Sequence, residues 1–99
     1  MLERDYQAKL IKKIYSMFPE HTIVLKNDPA YIQGFPDLLI LHEGKWAALE
    51  TKKSRHASHR PNQDYYVDLL GQMSYAAFIF PENEEEVLGE VQRALQSGW

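Results

Sequence analysis

The 99-residue chain contains no cysteine. This excludes disulfides, thiolate zinc sites and cysteine nucleophiles, and it fits an intracellular, cytoplasmic setting. Long apolar runs are also missing. The longest cover residues 38–41 and 76–80, far short of the ~20 residues that span a bilayer, so no membrane association is expected. The opening residues Met1-Leu2-Glu3-Arg4-Asp5 place acids where a signal peptide has a basic start and an apolar stretch, so export is not expected. No repeat, low-complexity stretch or linker divides the chain, which predicts one domain over residues 1–99.

Hydrophobic residues make up 44% and charged residues 25%, which excludes a disordered or fibrous chain. The net charge of −3 argues against indiscriminate binding to a polyanion. The charge is unevenly spread, however. Residues 1–60 hold ten Lys/Arg against seven Asp/Glu, and residues 61–99 hold one against seven. That predicts one basic and one acidic surface, and a local basic footprint is all that nucleic acid requires.

Apolar residues recur with helical spacing at Tyr6, Leu10, Ile14 and Phe18, predicting a helix over 3–18 that Pro19 stops. Residues 22–25 are β-branched and apolar and read as a strand. Two more strands follow, over 38–41 and 46–49, with Gly44 supplying the permissive backbone of the turn. Residues 53–60 form a polar, basic loop. Pro61 suits the first turn of a helix whose apolar face is Tyr65, Tyr66, Leu69, Leu70 and Met73; these aromatics, with Tyr75, are read as core. A buried strand over 75–80 ends at Pro81. Asn83, with Glu86 three residues on, caps a last helix whose inner face is Val87, Leu88, Val91 and Leu95. The order is α-β-β-β-α-β-α, and the expected fold class is α/β (α+β), a central mixed sheet flanked by helices.

The placement of carboxylates on the hairpin carries the chemistry. A turn centred on Glu43 and Gly44 pairs residues whose numbers sum to 87, so Leu41 faces Trp46, Leu39 faces Ala48 and Asp37 faces Glu50. Directly opposed residues point to one side with Cβ atoms roughly 4.5–5.5 Å apart. Lys52 points the same way as Glu50. Two acids so close repel unless neutralised, and oxygen ligands from two strands suit Mg²⁺ or Mn²⁺. Spacing alone is equally compatible with a salt bridge at a fraying hairpin end. Glu3 projects near the middle of the face formed by Leu10, Ile14 and Met17. That makes it either a dipole-favoured first-turn acid or a third carboxylate aimed at the same cation.

Gly34-Phe35-Pro36-Asp37-Leu38 followed by Glu50-Thr51-Lys52 resembles the signature of the PD-(D/E)XK nuclease superfamily, and within it the short VRR-NUC type found alone in phages and as the nuclease domain of larger repair proteins. Glu3 matches an acid near the start of the first helix in that family. Gln63, in Arg60-Pro61-Asn62-Gln63, matches a glutamine opening the helix after the second motif. The resemblance covers residues 3–80. It implies a restriction-endonuclease-like core and a metal-dependent endonuclease that hydrolyses DNA phosphodiesters to a 5′-phosphate and a 3′-hydroxyl. Asp37 and Glu50 would hold Mg²⁺ (or Mn²⁺) with the Thr51 carbonyl, and Glu3 is a further candidate ligand. Lys52 would orient or deprotonate water and stabilise transition-state charge. Gln63 would position the nucleophile or the phosphate, or else it is a plain polar residue at a helix start. The resemblance also implies a homodimer whose two cutting centres suit branched DNA such as a Holliday junction, and a phage or prophage source.

Lys53, Arg55, His59 and Arg60 lie in the loop after Lys52, with His56, and such a basic stretch next to a phosphate-cleaving centre is a nucleic-acid-binding candidate. His56 and His59 lack a partner at a supportive spacing, so no zinc site is expected. Two other classes compete with the enzyme. One is a nucleic-acid-binding module of the same fold that does not cut. The other is a partner-binding protein using its acidic C-terminal helix.

Overall fold

The computed structural model describes residues 2–96. Helix α1 (Glu3–Met17) leads into strand β1 (Thr22–Lys26). Strands β2 (Leu38–His42) and β3 (Lys45–Thr51) form a hairpin, and helix α2 (Pro61–Met73) connects β3 to β4 (Tyr75–Ile79). A 3₁₀ turn (Pro81–Asn83) opens into helix α3 (Glu84–Gln96). The four strands lie in the order β1-β2-β3-β4. The first three pair antiparallel and β4 joins β3 in parallel, giving the expected α+β fold with a mixed sheet.

The hairpin register follows from its turn. Glu43 (φ 48°) and Gly44 (φ 83°) both adopt left-handed backbone, the twist that a two-residue connection between antiparallel strands requires. The pairs Leu38–Leu49, Leu39–Ala48 and Leu41–Trp46 therefore form as the sum of 87 predicts.

One face of the sheet carries the core. Leu38, Ile40, Ala47, Leu49 and Ile79 pack under Leu10, Ile14 and Phe18 of the α1 segment and Val87, Leu88, Val91 and Leu95 of α3. Burial of each large aliphatic side chain contributes about 1.5–3 kcal/mol. The other face is covered only in part. Helix α2 packs against β4 and the adjoining part of β3, so its own face is mostly open. Leu70 is buried, whereas Tyr65, Leu69 and Met73 are exposed. The expected core face of α2 is thus corrected: the helix overhangs a half-covered sheet, and periodicity alone does not reveal how much sheet lies beneath it.

Asn83 also plays a different part from the one expected. Its Oδ1 accepts from the Phe80 amide (2.8 Å) and its Nδ2 donates to the Phe78 carbonyl (3.1 Å). It closes the end of β4 within the 3₁₀ turn, one residue before α3 begins.

Candidate active site

The site lies where the hairpin opens, at the end away from its turn. Asp37 directly precedes β2, opposite Glu50 in the extended register. Its position is fixed from both sides. The Asn27 amide donates to the Asp37 carbonyl (2.8 Å), and Asn27 Nδ2 donates to the Pro36 carbonyl (2.7 Å). Just upstream, Gly34 has φ +88°, and a Cβ there would come within 2.5–2.8 Å of Asn62 at the start of α2. Glycine is therefore required twice, for the left-handed backbone and for the close approach. This contact sets the approach to Asp37 against the helix that carries Gln63.

The Asp37 carboxylate turns toward the end of β3. Its Oδ2 accepts from the Thr51 amide (3.0 Å) and from the Thr51 hydroxyl (2.6 Å). Thr51 in turn accepts from Gln7 Nε2 of α1 (3.2 Å). These bonds fix the direction of the Asp37 carboxyl against the end of β3.

Glu50 and Lys52 are almost completely enclosed, at 3% and 7% exposure. Their charged atoms are 4.0 Å apart, and Gln63 joins them. Its Oε1 accepts from Lys52 Nζ (2.8 Å) and from the Arg60 amide (3.0 Å), while its Nε2 donates to Glu50 Oε2 (3.2 Å). Two donors on one end and a carboxylate on the other fix the amide's orientation. Lys52 Nζ also donates to the Ser58 carbonyl (3.1 Å), tying the basic loop to the site.

Burial pushes the Glu50 carboxyl up to about 8, and the charge of Asp37 adds to the shift. Lys52 opposes it, while a shared proton with Asp37 and the charge of Glu3 raise it further. A buried acid beside a second acid, with one lysine that does not fully offset them, is a pair in want of positive charge. Among the described residues no group of three or more His, Asp and Glu side chains gathers as a metal cage. The oxygen donors fit a hard divalent cation on chemical grounds: two carboxylates from adjacent strands and the Thr51 main-chain carbonyl.

Glu3 is exposed at the first residue of α1 rather than within its buried stripe of Tyr6, Leu10 and Ile14. Its charge reaches Glu50, but it does not join Asp37 and Glu50 in a three-acid cluster. In the basic loop Lys53, Arg55 and Arg60 are exposed. His59 is anchored: its ring stacks on Phe78 at 3.9 Å, and Nδ1 lies 3.1 Å from Asp64. Sequence reasoning missed the supports Gln7, Asn27 and Ser58. It also missed Tyr65 (60% exposed) and Tyr31 (86% exposed) as surface rings. The amide-bearing residues carried no signal beyond their polarity.

No protein-family model, curated protein or solved structure matches the chain.

Proposed function

We propose that the protein is a Mg²⁺- or Mn²⁺-dependent DNA endonuclease that acts on branched DNA such as Holliday junctions, as a homodimer inside the cell. One observation carries this reading: an enclosed carboxylate, Glu50, sits beside Asp37 and is joined through Gln63 to an enclosed lysine, Lys52. The resemblance of Pro36-Asp37 and Glu50-Thr51-Lys52 to the PD-(D/E)XK signature supports the same chemistry.

Asp37, Glu50 and the Thr51 carbonyl would hold the cation, with Glu3 adding negative potential. When bound, a divalent cation supplies Lewis-acid chemistry toward water and the phosphodiester. Lys52 places a positive charge where charge develops on the phosphate. Gln63 fixes the direction of the Lys52 ammonium and holds Glu50 in place, so neither group reorganises during the reaction. Lys53, Arg55 and Arg60 present exposed cations to the strand beside the site, and His59, from the same loop, is held against Phe78.

The test is cleavage of a four-way junction and of supercoiled plasmid with Mg²⁺ or Mn²⁺. Cutting that EDTA abolishes and that Lys52→Ala removes is the expected result. Salt-sensitive binding to DNA with no cleavage under any divalent cation would overturn the nuclease in favour of a binding module.

A further inference from the structure

Two segments that build the active site each hold a tyrosine ring in solvent. The loop before Asp37 carries Tyr31, and helix α2, just past Gln63, carries Tyr65; both are largely exposed. Phe35 and Tyr66 link them. The Phe35 and Tyr66 ring centroids lie 5.6 Å apart at a tilt of 59°, and those of Tyr66 and Tyr65 lie 5.1 Å apart at 79°. Tilted and edge-on contacts brace the rings without covering both of their faces. The pair His59–Phe78 differs, since it is stacked at 16°. Tyr31 and Phe35 also line a cavity of about 350 Å³, with Lys26, Asn27, Asp28 and Ile32, which lies at the small end of ligand-sized pockets. The loop is shaped by its own bonds. The Ala30 amide donates to Asp28 Oδ1 (2.8 Å), and the Tyr31 amide donates to the Asp28 carbonyl (3.1 Å). Asn27, in the cavity wall, donates to the Pro36 and Asp37 carbonyls, so the rings and the Asp37 carboxyl share one support.

We propose that this row of rings is a stacking platform for unpaired bases of a DNA strand, adjoining the cleavage site. The proposal rests on the nuclease reading only for the place of the scissile phosphate, beside Asp37 and Glu50. A nucleobase offers a flat π-face, and aromatic side chains accept it with little regard to sequence. In a duplex those faces are hidden within the stack, so the platform selects a strand that is unpaired where it leaves the site. The backbone of such a strand needs cations alongside. Lys26, exposed at the end of β1, borders the Tyr31 cavity, and the exposed Arg60 directly precedes α2. The nearby acids already have partners. Asp28 accepts from the Ala30 amide, Asp64 lies 3.1 Å from His59 Nδ1, and Asp68 accepts from Gln72 (3.1 Å). A row of rings bordered by cations, running to within one helical turn of Gln63, favours a nucleotide strand over a protein surface as its occupant.

The test is binding of an oligothymidine strand of about 12 nucleotides carrying a 2-aminopurine base, alone and as a duplex, by the full chain in EDTA. The wild type is expected to bind the single strand more tightly than the duplex and to quench the 2-aminopurine fluorescence, the mark of stacking. Tyr31→Ala and Tyr65→Ala should each weaken single-strand binding at least about 5-fold and lose quenching. Tyr31→Phe and Tyr65→Phe keep the ring and should behave as the wild type. Circular dichroism follows folding, and the two independent positions keep the test decisive should one alanine variant unfold. Alanine variants that bind and quench like the wild type overturn the platform and leave the rings to a protein partner; if they also cut four-way junctions, the nuclease reading stands without it. A wild type that prefers the duplex overturns the platform as well. Quenching that the alanine variants lose, in a chain that cuts no DNA, supports the platform and removes only the nuclease reading.

Discussion

Lys52 and Glu50 are linked through one side chain, Gln63, whose carbonyl oxygen accepts a hydrogen bond from the lysine while its amide donates one to the carboxylate. A direct contact of 4.0 Å alone would leave both groups free to choose other partners. The bridge makes the lysine's position depend on the first turn of α2, where Pro61 starts the helix and the Arg60 amide also bonds Gln63.

Gln63→Ala therefore leaves the charges in place but unguided. We expect kcat for junction cleavage to fall about 10–100-fold with KM little changed, the pattern of lost positioning. Gln63→Glu, which sets a further carboxylate against Glu50, should be at least as inactive. A KM rise with unchanged kcat in both variants would assign Gln63 to DNA binding instead.

Lys52→Ala removes the one lysine that lowers the Glu50 pKa. Cleavage should drop about 100-fold or more. The Glu50 carboxyl should also titrate above its value of about 8, as read by carbon NMR of labelled glutamate. An unmoved Glu50 titration would mean that the two charges are not coupled.

Stability should depend on pH through Glu50. Its carboxyl lies near 4.5 in the unfolded chain and about 8 in the fold, so the folded state keeps the proton that the unfolded state loses. Stability is then greatest below about pH 4.5 as far as this group is concerned. It declines as pH rises toward 8 and levels off above. Thermal melting without divalent cation should fall by about 5 °C or more across that window. Glu50→Gln should flatten the slope. Mn²⁺, which favours the ionised carboxylate, should restore part of the loss at pH 8 and little at pH 5.

Gly34→Ala should be disruptive for a glycine in a loop. The side chain would enter a left-handed backbone and meet Asn62 at 2.5–2.8 Å. A loss of about 1–3 kcal/mol is expected, with reduced cleavage because the approach to Asp37 shifts. Denaturant melts measure the first and junction cleavage the second. Unchanged values for both would remove Gly34 from the scaffold of the site.

The hairpin was readable because its turn residues dictate its register. Once Glu43 and Gly44 are placed, the opposition of Asp37 and Glu50 follows by counting. The core of α3 was readable from its spacing, since Val87, Leu88, Val91 and Leu95 form one buried stripe. Where a helix lies on a sheet is a different matter. Tyr65, Leu69 and Met73 have the spacing of a core face, yet α2 sits over β4 and β3 and leaves them in solvent. Polar bridges were equally illegible, because Gln7 reaches Thr51 across 44 residues of sequence and only the packing of α1 brings them together. Asn83 misled because one side chain can cap either of two adjoining turns.

The most direct measurement is a Mn²⁺ titration followed by water-proton relaxation at pH 8, comparing the wild type with Asp37→Asn and Glu50→Gln. Binding with a Kd of about 1 mM or tighter, weakened at least about 10-fold by either substitution, is the predicted result. Manganese that does not bind, or that binds all three proteins alike, would contradict a cation site between these two strands.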